Sequence, residues 1–221
     1  MLKKPFDYIS ILSFFTFLIF IGCAVAPEKT QPEPGEPVAY SPKMKVGDKW
    51  KMTGWSRSKR TDIYHTEIVE VNEDGSFAVL KRAEKAGETW YEYYNNKFQQ
   101  EMIVYPSTGK TITQEKPLRN SLDFPIFVGK SWKTAYSAIS KGGRLIEYLD
   151  KYKVISYETI KTKAGEFKAF KISRTNSLVD HRSYIYNSVE WYCPELKLKI
   201  KVTNPDFPPL ELLDYNLVMK K

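Results

Sequence analysis

The chain has 221 residues, 42% hydrophobic, 14% aromatic and 27% charged, with a formal net charge of +8. That balance excludes an intrinsically disordered chain and leaves enough apolar side chains for a folded core. Its two cysteines exclude a disulfide-dense scaffold, and its two histidines exclude a histidine-rich metal centre.

The N-terminus reads as an export signal. Lys3 and Lys4 precede an apolar run from Ile9 to Ile21 that only Ser10, Ser13 and Thr16 interrupt. As a helix the run would rise about 20 Å, short of the roughly 30 Å hydrocarbon core that a permanent span must cross. It ends in Phe20-Ile21-Gly22-Cys23, which resembles the lipobox of bacterial lipoproteins. That resemblance implies that residues 1–22 are a signal peptide and that Cys23 is lipid-modified and becomes the first residue of a membrane-anchored protein. Without it the same residues read as an ordinary signal peptide. Removing Lys3, Lys4 and Asp7 leaves a net charge of +7.

Residues 23–42 are expected to form a tether. Between Pro27 and Pro42 five of sixteen residues are proline, with Glu28, Glu33 and Glu36 among the rest. Such a segment buries little and, extended at roughly 3.1 Å per residue, reaches about 50 Å. Ala24, not Asp, follows the cysteine, and by resemblance to enterobacterial lipoproteins this implies the outer membrane over the inner one.

From residue 43 onward the signal is period-two alternation. Ile68 to Val71 and Phe77 to Leu80 flank an Asp74-Gly75 turn, and Tyr152 to Ile160 and Phe167 to Ile172 flank a turn at Thr162 to Gly165. Leu196, Leu198, Ile200 and Val202 interleave with Lys197, Lys199 and Lys201, which predicts a half-buried strand with a solvated lysine face. Only Ser137 to Tyr148 could hold a short helix, and Gly142 and Gly143 interrupt it. The expected fold is all-β: an antiparallel curved sheet or incomplete barrel forming one domain over 43–221.

Three landmarks recur in order. Val46-Gly47-Asp48-Lys49-Trp50 returns as Val128-Gly129-Lys130-Ser131-Trp132, and Gly75-Ser76-Phe77 as Gly165-Glu166-Phe167. Trp90-Tyr91 then returns as Trp191-Tyr192, so two similar meander modules, 43–125 and 126–221, are expected, with Trp50 and Trp132 as matching core anchors. Leu122 to Trp132, Thr162 to Ile172 and Glu190 to Leu196 together resemble the uncharacterised TapB-like family of bacterial envelope proteins. Two positions depart from its pattern: Glu166 replaces a threonine, and Lys197 stands where a glycine is usual. The resemblance implies an antiparallel β fold in the envelope and brings no catalytic residues.

No chemistry-bearing motif stands out. Pro106 to Thr111 ends like a phosphate-binding loop, but Val104 replaces its first glycine and Pro106 removes a needed N–H, so a turn between strands is expected. His65 and His181 lack partners at metal-ligand spacing, and Cys193, the thiol left beside a lipidated Cys23, is expected as buried packing. No catalytic, cofactor-binding or metal-ligating residue, and no cofactor, is therefore singled out, and nucleic acid is not an expected partner. Trp90, Tyr91, Tyr93 and Tyr94, and again Tyr184, Tyr186, Trp191 and Tyr192, form aromatic clusters that are either core or a ligand-facing surface. The expected function is a non-catalytic envelope lipoprotein that binds an amphipathic small molecule or a protein partner through a β surface. A structural or assembly accessory is the alternative, and an unrecognised hydrolase is less favoured.

The Cys23 assignment has a direct check. Cys23→Ser should leave the protein unprocessed or release it from the membrane fraction, while mass spectrometry of the wild type should show an acylated Cys23 at the mature N-terminus.

Overall fold

Side chains that alternate between apolar and polar along the chain place one face of each strand toward a core. The computed structural model describes residues 29–55, 61–113, 117–139, 145–179 and 185–218, and among these it contains strands and turns but no helix. The first seven strands are β1 (Val38–Ala39), β2 (Lys49–Trp55), β3 (Thr61–Val71), β4 (Phe77–Ala83), β5 (Thr89–Tyr94), β6 (Gln100–Tyr105) and β7 (Lys110–Thr113). The second seven are β8 (Ile126–Phe127), β9 (Ser131–Ile139), β10 (Leu145–Thr162), β11 (Gly165–Leu178), β12 (Ile185–Cys193), β13 (Leu198–Asn204) and β14 (Phe207–Asn216). Where a helix was conceivable, at Ser137 to Tyr148, the chain instead ends β9 and begins β10; Gly142 and Gly143 lie outside the described residues.

Strands β2 to β7 and β9 to β14 are two antiparallel meanders. They join in one 12-stranded sheet because β14 lies beside β2, leaving β7 and β9 as edges. The sheet curls but does not close, as the alternation predicted.

Each meander begins with the same hydrogen-bonded turn. Gly47 and Gly129 have φ of 92° and 90°, a region glycine enters without steric penalty. Gly47 N donates to Ile68 O at 2.8 Å and Ile68 N to Asp48 O at 2.9 Å, while Gly129 N donates to Val154 O and Val154 N to Lys130 O, both at 2.9 Å. A β-bulge follows at Ile68/Glu70 and at Val154/Ser156. Trp50 and Trp132 then enter the core, 4% and 8% exposed. Their indole N–H groups donate to the carbonyls of Leu196 at 3.0 Å and Asn120 at 3.1 Å.

The other two landmarks sit out of register with the sequence alignment. Phe77 pairs with Tyr94 and Phe170 with Tyr192, so Phe170, not Phe167, stands level with Phe77. By the same ladders Tyr93-Tyr94, not Trp90-Tyr91, stands level with Trp191-Tyr192, and a bulge breaks the pairing at both places. The cause is the β10–β11 hairpin, which continues pairing from Glu158 with Ala169 to Thr162 with Gly165, whereas β3 and β4 already separate at Val71 and Phe77.

Adjacent residues of a strand face opposite sides, and β11 and β12 bury both. Phe167, Ala169, Trp191 and Cys193 pack with Trp50, Ile68, Phe77 and Val79 in one cluster. Phe170, Ile172 and Tyr192 pack with Trp132, Tyr152 and Val154 in another, which Leu122, Ile126 and Ala39 cover. Part of the expected tether therefore belongs to the domain. Val38 and Ala39 pair with Phe127 and Ile126, Ala39 is buried, and Lys29 forms an ion pair with Glu36 at 2.7 Å.

The lysine row is also revised. Leu196 and Ile200 are fully buried as alternation required, but Lys197 lies in the turn before β13 with φ of 61°, the left-handed conformation that suits glycine. Its ammonium pairs with the buried Asp48 at 2.7 Å. Lys199 pairs with Glu190. A tertiary partner thus holds two of the three lysines that alternation assigned to solvent.

Truncating Trp50 or Trp132 to Ala should destabilise the protein by about 3–5 kcal/mol, the usual loss for a large buried aromatic. Urea unfolding of each variant measures it, and a loss below about 1 kcal/mol for both would contradict their burial.

Candidate functional site

The buried face of the second meander turns polar along its length. Two residues beyond Ile172 the same face of β11 carries Arg174 and then Asn176; two before Tyr152 on β10 it carries Asp150; two before Tyr192 on β12 it carries Glu190. Asp150 is fully buried and accepts from Arg119 Nε at 2.7 Å, Arg174 Nη2 at 3.0 Å, Asn176 Nδ2 at 2.7 Å and the Tyr152 hydroxyl at 2.8 Å. Arg119 Nη2 also donates to the Tyr152 hydroxyl at 2.9 Å, and its guanidinium lies 5.5 Å from the Tyr136 ring centre. Tyr136 in turn stacks on Tyr148 at 5.3 Å.

The first meander presents a second polar group. Glu92, nearly buried on β5, accepts from the Trp90 indole at 2.9 Å and the Tyr94 hydroxyl at 2.6 Å, and pairs with Lys81 at 2.9 Å. A cleft of about 360 Å³ runs between the meanders, with Lys81, Glu92 and Tyr94 on one side and Arg119, Tyr136 and Ser137 on the other. Phe98 and Gln100 also line it.

Electrostatics keep these carboxylates ionised. Burial pushes the Asp150 carboxyl up, but Arg119 and Arg174 outweigh it and hold the group below its ordinary range. Burial likewise opposes ionisation of Glu92, and Lys81, Tyr94 and Trp90 together bring it below the usual value. Burial drives the Tyr94 hydroxyl well above its ordinary value, with Glu92 adding to the effect. Burial also pulls the Lys199 ammonium down, despite Glu190. A carboxylate so held is an acceptor, not a proton donor poised near neutral pH.

The residues singled out in the sequence fall elsewhere. His65 is an exposed strand residue 3.1 Å from Glu84, and Cys193 is fully buried, with burial raising its thiol pKa. Pro106 to Gly109 form the β6–β7 turn. Trp191 and Tyr192 are both buried core residues, whereas Trp90 and Tyr94 share the Glu92 face. Cys23, His181 and Tyr184 lie outside the described residues. Among the described residues no cluster of three or more His, Cys, Asp or Glu side chains could hold a metal ion. The residues that sequence reading missed are Arg119, Asp150, Arg174, Glu92 and Glu190. Their signal was parity: four of them continue the apolar side of a strand, while Arg119 lies outside any strand and has no periodicity to betray it.

No family model matches the chain, and no curated protein does. Among solved structures, a candidate exported protein with a YmcC-like fold from Bacteroides fragilis superposes with a TM-score of 0.50 at 14% identity, covering 80% of this chain and 99% of that one. A candidate lipoprotein from Parabacteroides distasonis superposes with a TM-score of 0.45 at 13% identity over the same shares. The Bacteroides fragilis likeness is one of fold.

A carboxylate whose folded pKa lies below its ordinary 3.8 stabilises the fold above that value and loses the contribution as pH falls through the folded pKa. Urea midpoints of the wild type should therefore fall below about pH 4, and Asp150→Asn should flatten that decline while lowering stability at neutral pH. An unchanged acid limb in the variant would contradict the Arg119–Asp150–Arg174 pairing.

Proposed function

We propose that this protein is an exported envelope lipoprotein, anchored through Cys23 to the outer membrane, that binds a small amphipathic molecule in the cleft between its meanders without transforming it. The observation that carries the binding reading is the cleft itself, which faces the Glu92–Lys81 pair with the Arg119–Asp150 pair and adds the rings of Tyr94 and Tyr136. Aromatic rings supply an apolar contact and the ionised pairs supply directional hydrogen bonds. Trp191 and Tyr192 belong to the apolar clusters and do not line the cleft, so the reading rests on the cleft's own residues.

The non-catalytic reading is supported by carboxylates held ionised and by a buried Cys193 thiol. Export and anchoring are supported by the Lys3-Lys4 start, the apolar run and the lipobox-like ending at Cys23. The description of the Bacteroides fragilis neighbour as an exported protein agrees with them.

Native mass spectrometry of the mature protein, solubilised from the envelope of its own host, tests the proposal. A small-molecule adduct released on denaturation is the expected result. A protein that carries no small molecule and copurifies with a stable protein partner would overturn it in favour of an assembly role.

A further inference from the structure

The polar wall of the second meander has a counterpart in the first. Val79 pairs with Glu92 and Ile172 with Glu190, and two residues further along, Lys81 and Arg174 share those faces. Phe77 opposite Tyr94 matches Phe170 opposite Tyr192. Each meander thus carries a cation, a glutamate and a tyrosine at matching positions of its third and fourth strands. Packing alone does not ask for such a set, because buried ion pairs stabilise no better than apolar residues of similar volume.

The two sets are not equally satisfied. In the first, Glu92 holds Lys81, Tyr94 and Trp90. In the second, Arg174 Nε, Ser188 Oγ and the Tyr192 hydroxyl are buried without a hydrogen-bond partner. Arg174 and Ser188 are cross-strand neighbours, and Arg174 shares the Asp150 carboxylate with Arg119, which lines the cleft. None of Arg174, Ser188 and Tyr192 lines the cleft, so their buried atoms call for ordered water, and the groups open to a ligand are those of the lining itself.

We infer that the cleft is a binding site for a neutral saccharide of one or two rings, a deepening of the binding function proposed above that rests on it. An anionic ligand would add charge beside the ionised Glu92 carboxylate, while Lys81 and Arg119 are each already engaged by a carboxylate. An acyl chain would desolvate a lining in which only Phe98 lacks a polar atom. Sugar hydroxyls both donate and accept, so one can donate to a carboxylate while its neighbour accepts from the paired cation, and both ion pairs survive. A cleft of about 360 Å³ is at the small end of ligand sites, as one or two rings require.

Saturation-transfer NMR and calorimetry on the mature protein would use an array of neutral mono- and disaccharides, with dodecyl phosphate and octanoate as anionic and acyl probes. At least one neutral saccharide should receive saturation through its ring protons, with affinity changing less than twofold between about 20 and about 500 mM salt. Glu92→Gln should weaken that binding at least tenfold. Ser137→Ala, which removes a single hydroxyl from the cleft lining, should weaken it about threefold to tenfold with an unchanged unfolding midpoint, so a folding defect in the first variant does not decide the matter. Binding of dodecyl phosphate or octanoate with no response to any saccharide overturns the saccharide assignment while leaving a small-molecule function intact. Silence toward every probe, together with no adduct in native mass spectrometry, overturns both.

Discussion

The seam between β2 and β14, the first and last strands of the large sheet in chain order and neighbours at its middle, holds the two meanders as one body. Strand β14 pairs with β2 from Leu212 opposite Met52 to Asn216 opposite Lys49, and Asp48 lies at the end of that seam. Its buried carboxylate accepts from Lys197 Nζ at 2.7 Å, Val218 N at 2.9 Å and Lys45 N at 3.2 Å. One side chain thus fastens the entry to β2, the turn between β12 and β13, and the exit from β14. A carboxylate buried this completely is tolerable only with several donors, and removing one of them would leave a charge without compensation. The corresponding position of the second meander carries the opposite charge. Lys130 is answered there by the Asp123 carboxylate at 2.7 Å and by the carbonyls of Asp123 and Pro125. The same turn is therefore locked in both meanders, each time by whatever the adjoining segment offers.

The seam also decides where polarity is allowed inside. With β11 and β12 buried on both faces, the apolar clusters meet along Phe167 to Ile172 and Trp191 to Cys193. Beyond them the same strands carry Arg174, Asn176, Ser188 and Glu190 into a region that is protected but not apolar. Low local dielectric strengthens each hydrogen bond to Asp150 and makes any unpaired atom expensive, so the network is rigid where complete and demanding where it is not. A rigid wall of preset donors and acceptors is what selective binding of a small polar molecule requires.

Alternation along the chain marked the strands at Ile68 to Val71, Phe77 to Leu80, Tyr152 to Ile160, Phe167 to Ile172 and Leu198 to Val202. The hairpins at Asp74-Gly75 and Thr162 to Gly165, the all-antiparallel class and the burial of Trp50 and Trp132 follow from period-two patterning, turn residues and side-chain size, which are local properties. The recurring Val-Gly turn was legible for the same reason: a positive φ at Gly47 and Gly129 is a demand of the local backbone. What alternation cannot supply is the occupant of each face. It assigned Lys197 and Lys199 to solvent, whereas Asp48 and Glu190, distant in the chain or across a strand, claim them. It left the aromatic clusters between core and surface, and β11–β12 became core on both sides only because a second layer covers each face. It read Val38 and Ala39 as tether, because their pairing with Phe127 and Ile126 spans most of a meander and leaves no mark in local composition. The cleft is the extreme case: Lys81 and Glu92 come from one meander, Arg119 and Tyr136 from the other side, and only the joining of β14 to β2 in one curled sheet brings them to a common space.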